Sequence, residues 1–149
     1  MSKINSTKMK IRYQKQVIIT FVIIIVSLVL ILYKSPRTFE KIIGSEEHKN
    51  INKIYMSGNL PDGNTNMEVP NNKISEILTI FDSYKYRRRI AAPLSGNVVF
   101  TQLLTKSSKG SIYIEVRDSG YIRIPNNQIY KVLDADKKEL FEKVTKALK

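Results

Sequence analysis

The sequence predicts an α+β protein, with one N-terminal transmembrane helix followed by a small antiparallel sheet with two helices. Three observations carry this reading. Residues 17–33 are uncharged and almost wholly apolar, two later stretches repeat apolar residues at helical spacing, and short alternating runs punctuated by Gly, Pro and Asn fill the rest.

The apolar run VIITFVIIIVSLVLILY has no polar face, so it does not fit a core helix. Its length gives about 25 Å of helix against a hydrocarbon core of about 30 Å. Lys15 and Lys34 can snorkel and Tyr13 and Tyr33 suit the two interfaces, which closes the gap. Lys3, Lys8, Lys10, Arg12 and Lys15 precede the run and no acidic residue occurs before Glu40. By the positive-inside rule residues 1–16 form a basic cytoplasmic tail and the rest of the chain lies outside the cell membrane. The residues after the run, Leu32 to Pro36, lack the small-residue pair of a cleavage site, so an uncleaved, single-pass signal anchor is expected.

The chain contains no cysteine, which excludes disulfides, thiol catalysis and thiolate metal sites. An outer domain without disulfides fits a Gram-positive bacterial surface better than a eukaryotic secretory route. With the five N-terminal cations set aside from the net charge of +12, the outer part keeps 20 basic and 13 acidic residues. That modest excess favours anionic partners.

Residues 34–50 are sparse in apolar side chains and predict a tether, with room for a helical turn between Thr38 and Ile43; residues 51–149 form the outer domain. Residues 51–56 alternate as a strand, a Gly- and Asn-rich loop spans residues 57–66, and residues 67–69 return. An Asn after Pro70 is expected to cap a helix whose Ile74, Ile77, Leu78 and Phe81 make an apolar stripe. Residues 84–92 read as extended and end in a turn at Pro93. Residues 98–104 are apolar on both faces, predicting a central strand covered on both sides.

The hairpin that follows has a derivable register. A three-residue loop, Asp118-Ser119-Gly120, sets Val116 opposite Ile122 and Glu115 beside Arg123, with Gly120 at the left-handed position. Pro125-Asn126-Asn127 interrupts the ladder before a short strand at 128–132. Asp134 is then expected to cap a last helix with Leu140, Phe141, Val144 and Leu148 on one face.

Catalytic and cofactor signatures are missing. The single histidine, His48, sits in the predicted tether beside Glu46 and Glu47, with nothing to complete a metal site or a triad. The six glycines are isolated turn residues rather than a phosphate loop. The carboxylates Glu68, Glu76, Asp82, Glu115, Asp118, Asp134 and Asp136 could in principle pair for glycosidic chemistry, but most have plain local tasks. An enzyme, a metal and a cofactor are therefore not expected.

One cluster carries a binding hypothesis: Tyr84-Lys85-Tyr86-Arg87-Arg88-Arg89. On a strand, Lys85, Arg87 and Arg89 share one face at about 7 Å spacing, matched to phosphates of a polymer or lipid surface. Tyr84 and Tyr86 flank them and could add stacking. The bland explanation is a strand edge charged to block intermolecular pairing. Nucleic acid would use the same residues, but the predicted topology puts them outside the cell.

The pattern SIYIEVRDSGYIRIPNNQIYKV, with ILTIFDSYKYRR before it, resembles a family of small uncharacterised extracytoplasmic domains of Gram-positive bacteria, anchored by a lipid or a single span. The family's tyrosine-rich strand, proline break and Ile-Tyr pair are matched here by Tyr121, Pro125, Ile129 and Tyr130. Asn126-Asn127 stands where many relatives carry Tyr-Gly. The resemblance implies an α+β outer domain and transfers no catalytic residue. The expected function is an anchored binding module for an anionic envelope polymer or lipid surface. The alternatives are an accessory or immunity-type protein that binds an envelope protein and, third, a cell-wall hydrolase.

Overall fold

The computed structural model describes residues 2–60, 66–92, 95–107 and 110–148, with side chains from Tyr13 onward. The expected turn at Pro93, the centre of the 57–66 loop, part of the 105–110 turn and Lys149 lie outside the described residues. The chain divides into two compact units, Met1–Ser35 and Pro36–Lys149.

The first unit is a single helix, α1 (Ser2–Lys34). Its stretch Tyr13–Lys34 is 22 residues long and contains an unburied 18-residue window with a mean hydropathy of 2.9, so by length and composition it is long and apolar enough to cross a membrane. At 1.5 Å per residue it reaches about 33 Å, which removes the shortfall of the uncharged run alone. Ser35 Oγ donates back to the Ile31 carbonyl at 2.8 Å, just ahead of Pro36.

The second unit is α+β. It opens with two short helices, α2 (Phe39–Ile43) and α3 (Ser45–Lys49), followed by β1 (Ile51–Gly58), β2 (Asn66–Glu68) and α4 (Asn71–Asp82). Then come β3 (Lys85–Arg89), β4 (Val98–Thr105), β5 (Ser111–Arg117), β6 (Tyr121–Ile124), β7 (Gln128–Leu133) and α5 (Glu139–Lys146). The seven strands form one sheet in the order β2-β1-β4-β5-β6-β7-β3, each neighbour pair antiparallel. The sheet is larger than the sequence indicated, and among the described residues four helices of this unit, rather than two, accompany it, five in the chain with α1.

Period two along each strand splits the sheet into two faces. Ile54 and Met56, Val99 and Leu103, Ile112, Ile114 and Val116, Ile122, Tyr130 and Val132 are buried, and α2, α4 and α5 pack into the same cluster through Phe39, Ile43, Ile77, Phe81, Leu140 and Val144. The α4 and α5 stripes are those predicted. The other face is not covered by a helix of this unit among the described residues. Phe100 of β4 is 44% exposed there and Tyr113 of β5 is 58% exposed. The expectation that β4 would be covered on both sides fails for this reason, although its central position holds.

The expected tether is instead packed. Thr38 accepts from the Lys41 amide and starts α2; Gly44, at φ 108°, ends it and turns the chain into α3. Phe39 is fully buried, stacked on Phe81 with ring centroids 4.6 Å apart and tilted against Tyr86 at 6.1 Å. His48 is drawn in with it. Its Nε2 lies 3.0 and 3.1 Å from the two Asp82 carboxylate oxygens, tying α3 to the end of α4, and its ring meets Phe39 edge-on. A sparse apolar pattern hid this because three side chains, Phe39, Ile43 and the aliphatic part of Glu47, do the burying.

Two expected caps do not form. Pro70 occupies the N-cap position of α4 without a side-chain bond, and α5 begins at Glu139 after Lys138, while Asp134 sits in a turn at φ 59°. The hairpin register is as derived: Val116 faces Ile122, Glu115 faces Arg123, and Gly120 has φ 81°. Pro125–Asn127 is itself a tight hairpin loop, closing with Ile124 opposite Gln128 and both asparagines left-handed.

Replacing Phe39 with Ala is expected to destabilise the second unit by about 3–5 kcal/mol. Denaturant unfolding of the detergent-solubilised chain measures it, and a loss near zero restores the tether. Gly120→Ala forces φ 81° on an L-residue and brings a Cβ to 3.2 Å from the Lys137 backbone. The same assay should show a loss of about 1–2 kcal/mol.

Candidate binding surface

Strand β3 is the far edge of the sheet, and its residues alternate as its sequence pattern demands. Tyr86 points into the core, fully buried, and its hydroxyl donates to the Phe81 carbonyl at 2.7 Å. Burial pushes that phenol well above its ordinary range. Lys85, Arg87 and Arg89 therefore lie together on the opposite, helix-free face. Arg88 shares the Tyr86 side. Ile90 falls beyond the strand and is 89% exposed rather than joining Tyr86.

Neither flanking tyrosine offers a ring to a ligand. Tyr86 is in the core, and Tyr84 is 5% exposed, donating to Glu139 Oε1 at 2.9 Å beneath the Lys143 ammonium. Burial, assisted by the Glu139 carboxylate, raises the Tyr84 phenol. The bonds from Lys143 and Tyr84 hold the Glu139 carboxyl below its ordinary range, and Glu139 in turn raises Lys143 to about 12. These two tyrosines anchor β3 and α5; the stacking role expected of them is withdrawn.

The sheet extends the basic stripe across strands that the sequence kept apart. Arg87 faces Lys131, Lys131 faces Tyr121, and Tyr121 faces Arg117, so all four share one row. The next row runs Arg89, Ile129, Arg123, Glu115, Phe100 and Ser57. Neighbouring strands are about 4.8 Å apart, so the cations form a grid rather than a line. Six cations share this region with a single carboxylate. Glu115 accepts from Arg117 at 2.8 Å and from Arg123 at 3.3 Å. Among the described residues Lys85, Arg87, Arg89 and Lys131 form no ion pair, and Arg87 Nε is buried without a hydrogen-bond partner.

Towards the other edge the same face turns aromatic and neutral. Tyr55, Phe100 and Tyr113 border a shallow concavity of about 260 Å³, completed by Ser57, Asn66 and Gln102. A second concavity, of about 210 Å³, shares Phe100 and Tyr113 and reaches Arg123 and the Pro125–Asn127 loop. Gln102 Nε2 donates to the Tyr113 hydroxyl at 2.8 Å, fixing that ring. At the margin Lys53 and Glu68 cancel one another at 3.1 Å.

Sequence reasoning missed Arg117, Arg123, Lys131 and the three rings. Their signal was the alternation itself: Phe100 and Gln102 on β4, and Tyr113, Glu115 and Arg117 on β5, alternate with the buried positions of their strands. Carboxylates do not converge in this region. Glu68, Asp82, Glu115 and Asp118 each bind a separate partner, namely Lys53, His48, the Arg117–Arg123 pair and Asn97. No group of three or more His, Asp or Glu among the described residues could hold a metal ion.

No family model, curated protein or solved structure matches this chain.

Proposed function

We propose that this chain is a membrane-anchored extracytoplasmic module that binds an anionic envelope polymer or lipid surface. The observation that carries the reading is the unpaired basic grid of Lys85, Arg87, Arg89 and Lys131 on an open sheet face. Phosphate groups are the chemistry it suits, since Arg forks bind their oxygens in pairs and a repeating anion meets repeating cations. The apolar length of Tyr13–Lys34 and the N-terminal cations support an anchor with the N-terminus in the cytoplasm. The second reading is an accessory or immunity-type protein that adds to the open edge of β2, the three-residue outermost strand.

Topology is checked with the chain's own lack of cysteine. In intact cells a membrane-impermeant maleimide should label a Lys146→Cys variant and spare a Ser2→Cys variant until lysis; the reverse pattern refutes the anchor orientation. For the ligand, the Lys85→Ala/Arg87→Ala/Arg89→Ala variant should lose about tenfold in affinity for inorganic polyphosphate and show a flatter salt dependence. Vesicles of phosphatidylglycerol, compared with phosphatidylcholine, read the lipid source separately. Unchanged binding to both removes the basic grid from the site.

A further inference from the structure

Phe100 and Tyr113 are, with Ile90, the large apolar side chains left exposed on the second unit among the described residues. They are diagonal neighbours on β4 and β5, because Phe100 faces Glu115 and Gln102 faces Tyr113. Diagonal side chains start about 7–8 Å apart, so the two rings form one broken platform rather than two isolated contacts. The bond from Gln102 pre-sets the Tyr113 ring, lowering the entropy lost when something stacks on it.

What surrounds the platform identifies its ligand class. The first concavity is lined, besides its three rings, by Ser57, Asn66 and Gln102 with no aliphatic side chain; in the second, Glu115, Arg123, Asn126 and Asn127 stand beside Ile114, Ile124 and Pro125. Amides and hydroxyls both donate and accept, which is what sugar hydroxyls require, while the flat carbon face of a sugar ring meets an aromatic face. A protein partner would seek aliphatic walls around such rings. The platform is also continuous with charge: the concavity it shares ends at Arg123, which lies in the same row as Arg89 with Ile129 between them.

We propose that the outer sheet face takes a phosphate-bearing glycan, with sugar units on Phe100 and Tyr113 and phosphates on Arg123 and the β3 cations. This rests on the anionic-polymer reading and names its ligand class. It makes the two halves of the face one site, with charge supplying encounter and the rings supplying selection for sugar over bare phosphate.

The test uses the full chain in phosphatidylcholine nanodiscs, with a phosphorylated glucan, the same glucan without phosphate, and inorganic polyphosphate as probes. The phosphorylated glucan should bind best. Phe100→Ala/Tyr113→Ala should lose roughly tenfold for it and leave polyphosphate binding unchanged. Phe100→Tyr, which keeps both rings and the Gln102–Tyr113 bond, should retain it, and matching circular-dichroism melts show the variants folded. If wild type binds both anionic probes alike and the double Ala variant changes neither, the sugar assignment is overturned while the anionic reading survives. Failure to bind either anionic probe overturns both. Recovery of one protein from native membranes at near-equal amount, lost in the double Ala variant, also overturns the glycan.

Discussion

The burial of Tyr86 is the constraint on which the rest of this domain depends. Its ring lies in the core against Phe39, its hydroxyl is held by the Phe81 carbonyl, and its backbone exchanges two hydrogen bonds with Arg37, at 2.8 and 2.9 Å. The end of α4 and the edge strand, neighbours in sequence, meet the distant entry to the domain there. Because a strand alternates, one inward tyrosine fixes Lys85, Arg87 and Arg89 outward. Phe39 stacked on Phe81 closes the same cluster from the other side. The candidate site is thus held by packing on the face opposite to it.

Much of this was legible before any coordinates, and the parts that were not share a cause. The β5–β6 register could be derived because alternation, a glycine at a left-handed position and an opposite-charge pair all chose the same pairing. The apolar stripes of α4 and α5 were readable because each repeats over several turns. The segment 36–50 was not, since a helix of five residues offers no period to detect and only Phe39, Ile43 and Glu47 are buried in it. Local capping rules failed at the asparagines after Pro70 and at Asp134: the cap positions fall on Pro70 and Lys138, and neither side chain bonds the helix start. The site was half visible. Lys85, Arg87 and Arg89 are contiguous in sequence, whereas Arg117, Arg123 and Lys131 join them only through a strand order that places β3 beside β7.

That strand order also separates two explanations of the charge. Cations on an edge strand protect it against pairing with another chain, and β3 is an edge. Edge protection accounts for Lys85 and Arg89. It does not account for Lys131, Arg123 and Arg117, which lie on β7, β6 and β5, strands paired on both sides. Nor is the β3 edge wholly bare, since Arg37 already pairs with it at Tyr86.

Like charges directly opposite one another weaken a sheet, and Arg87 stands opposite Lys131. Glu115 relieves only Arg117 and Arg123. A fold selected for stability alone would place a carboxylate near Arg87, where its buried Nε lacks a partner. Under the anionic-ligand proposal, a bound anion would offset the repulsion across β3–β7, and part of its binding energy would be repulsion relieved in the free protein. The cost is local and borne on the face without helices, where losing it leaves the core intact. This separation lets the domain keep a destabilising charge arrangement: the helix-covered face holds the fold, and the open face carries the charge.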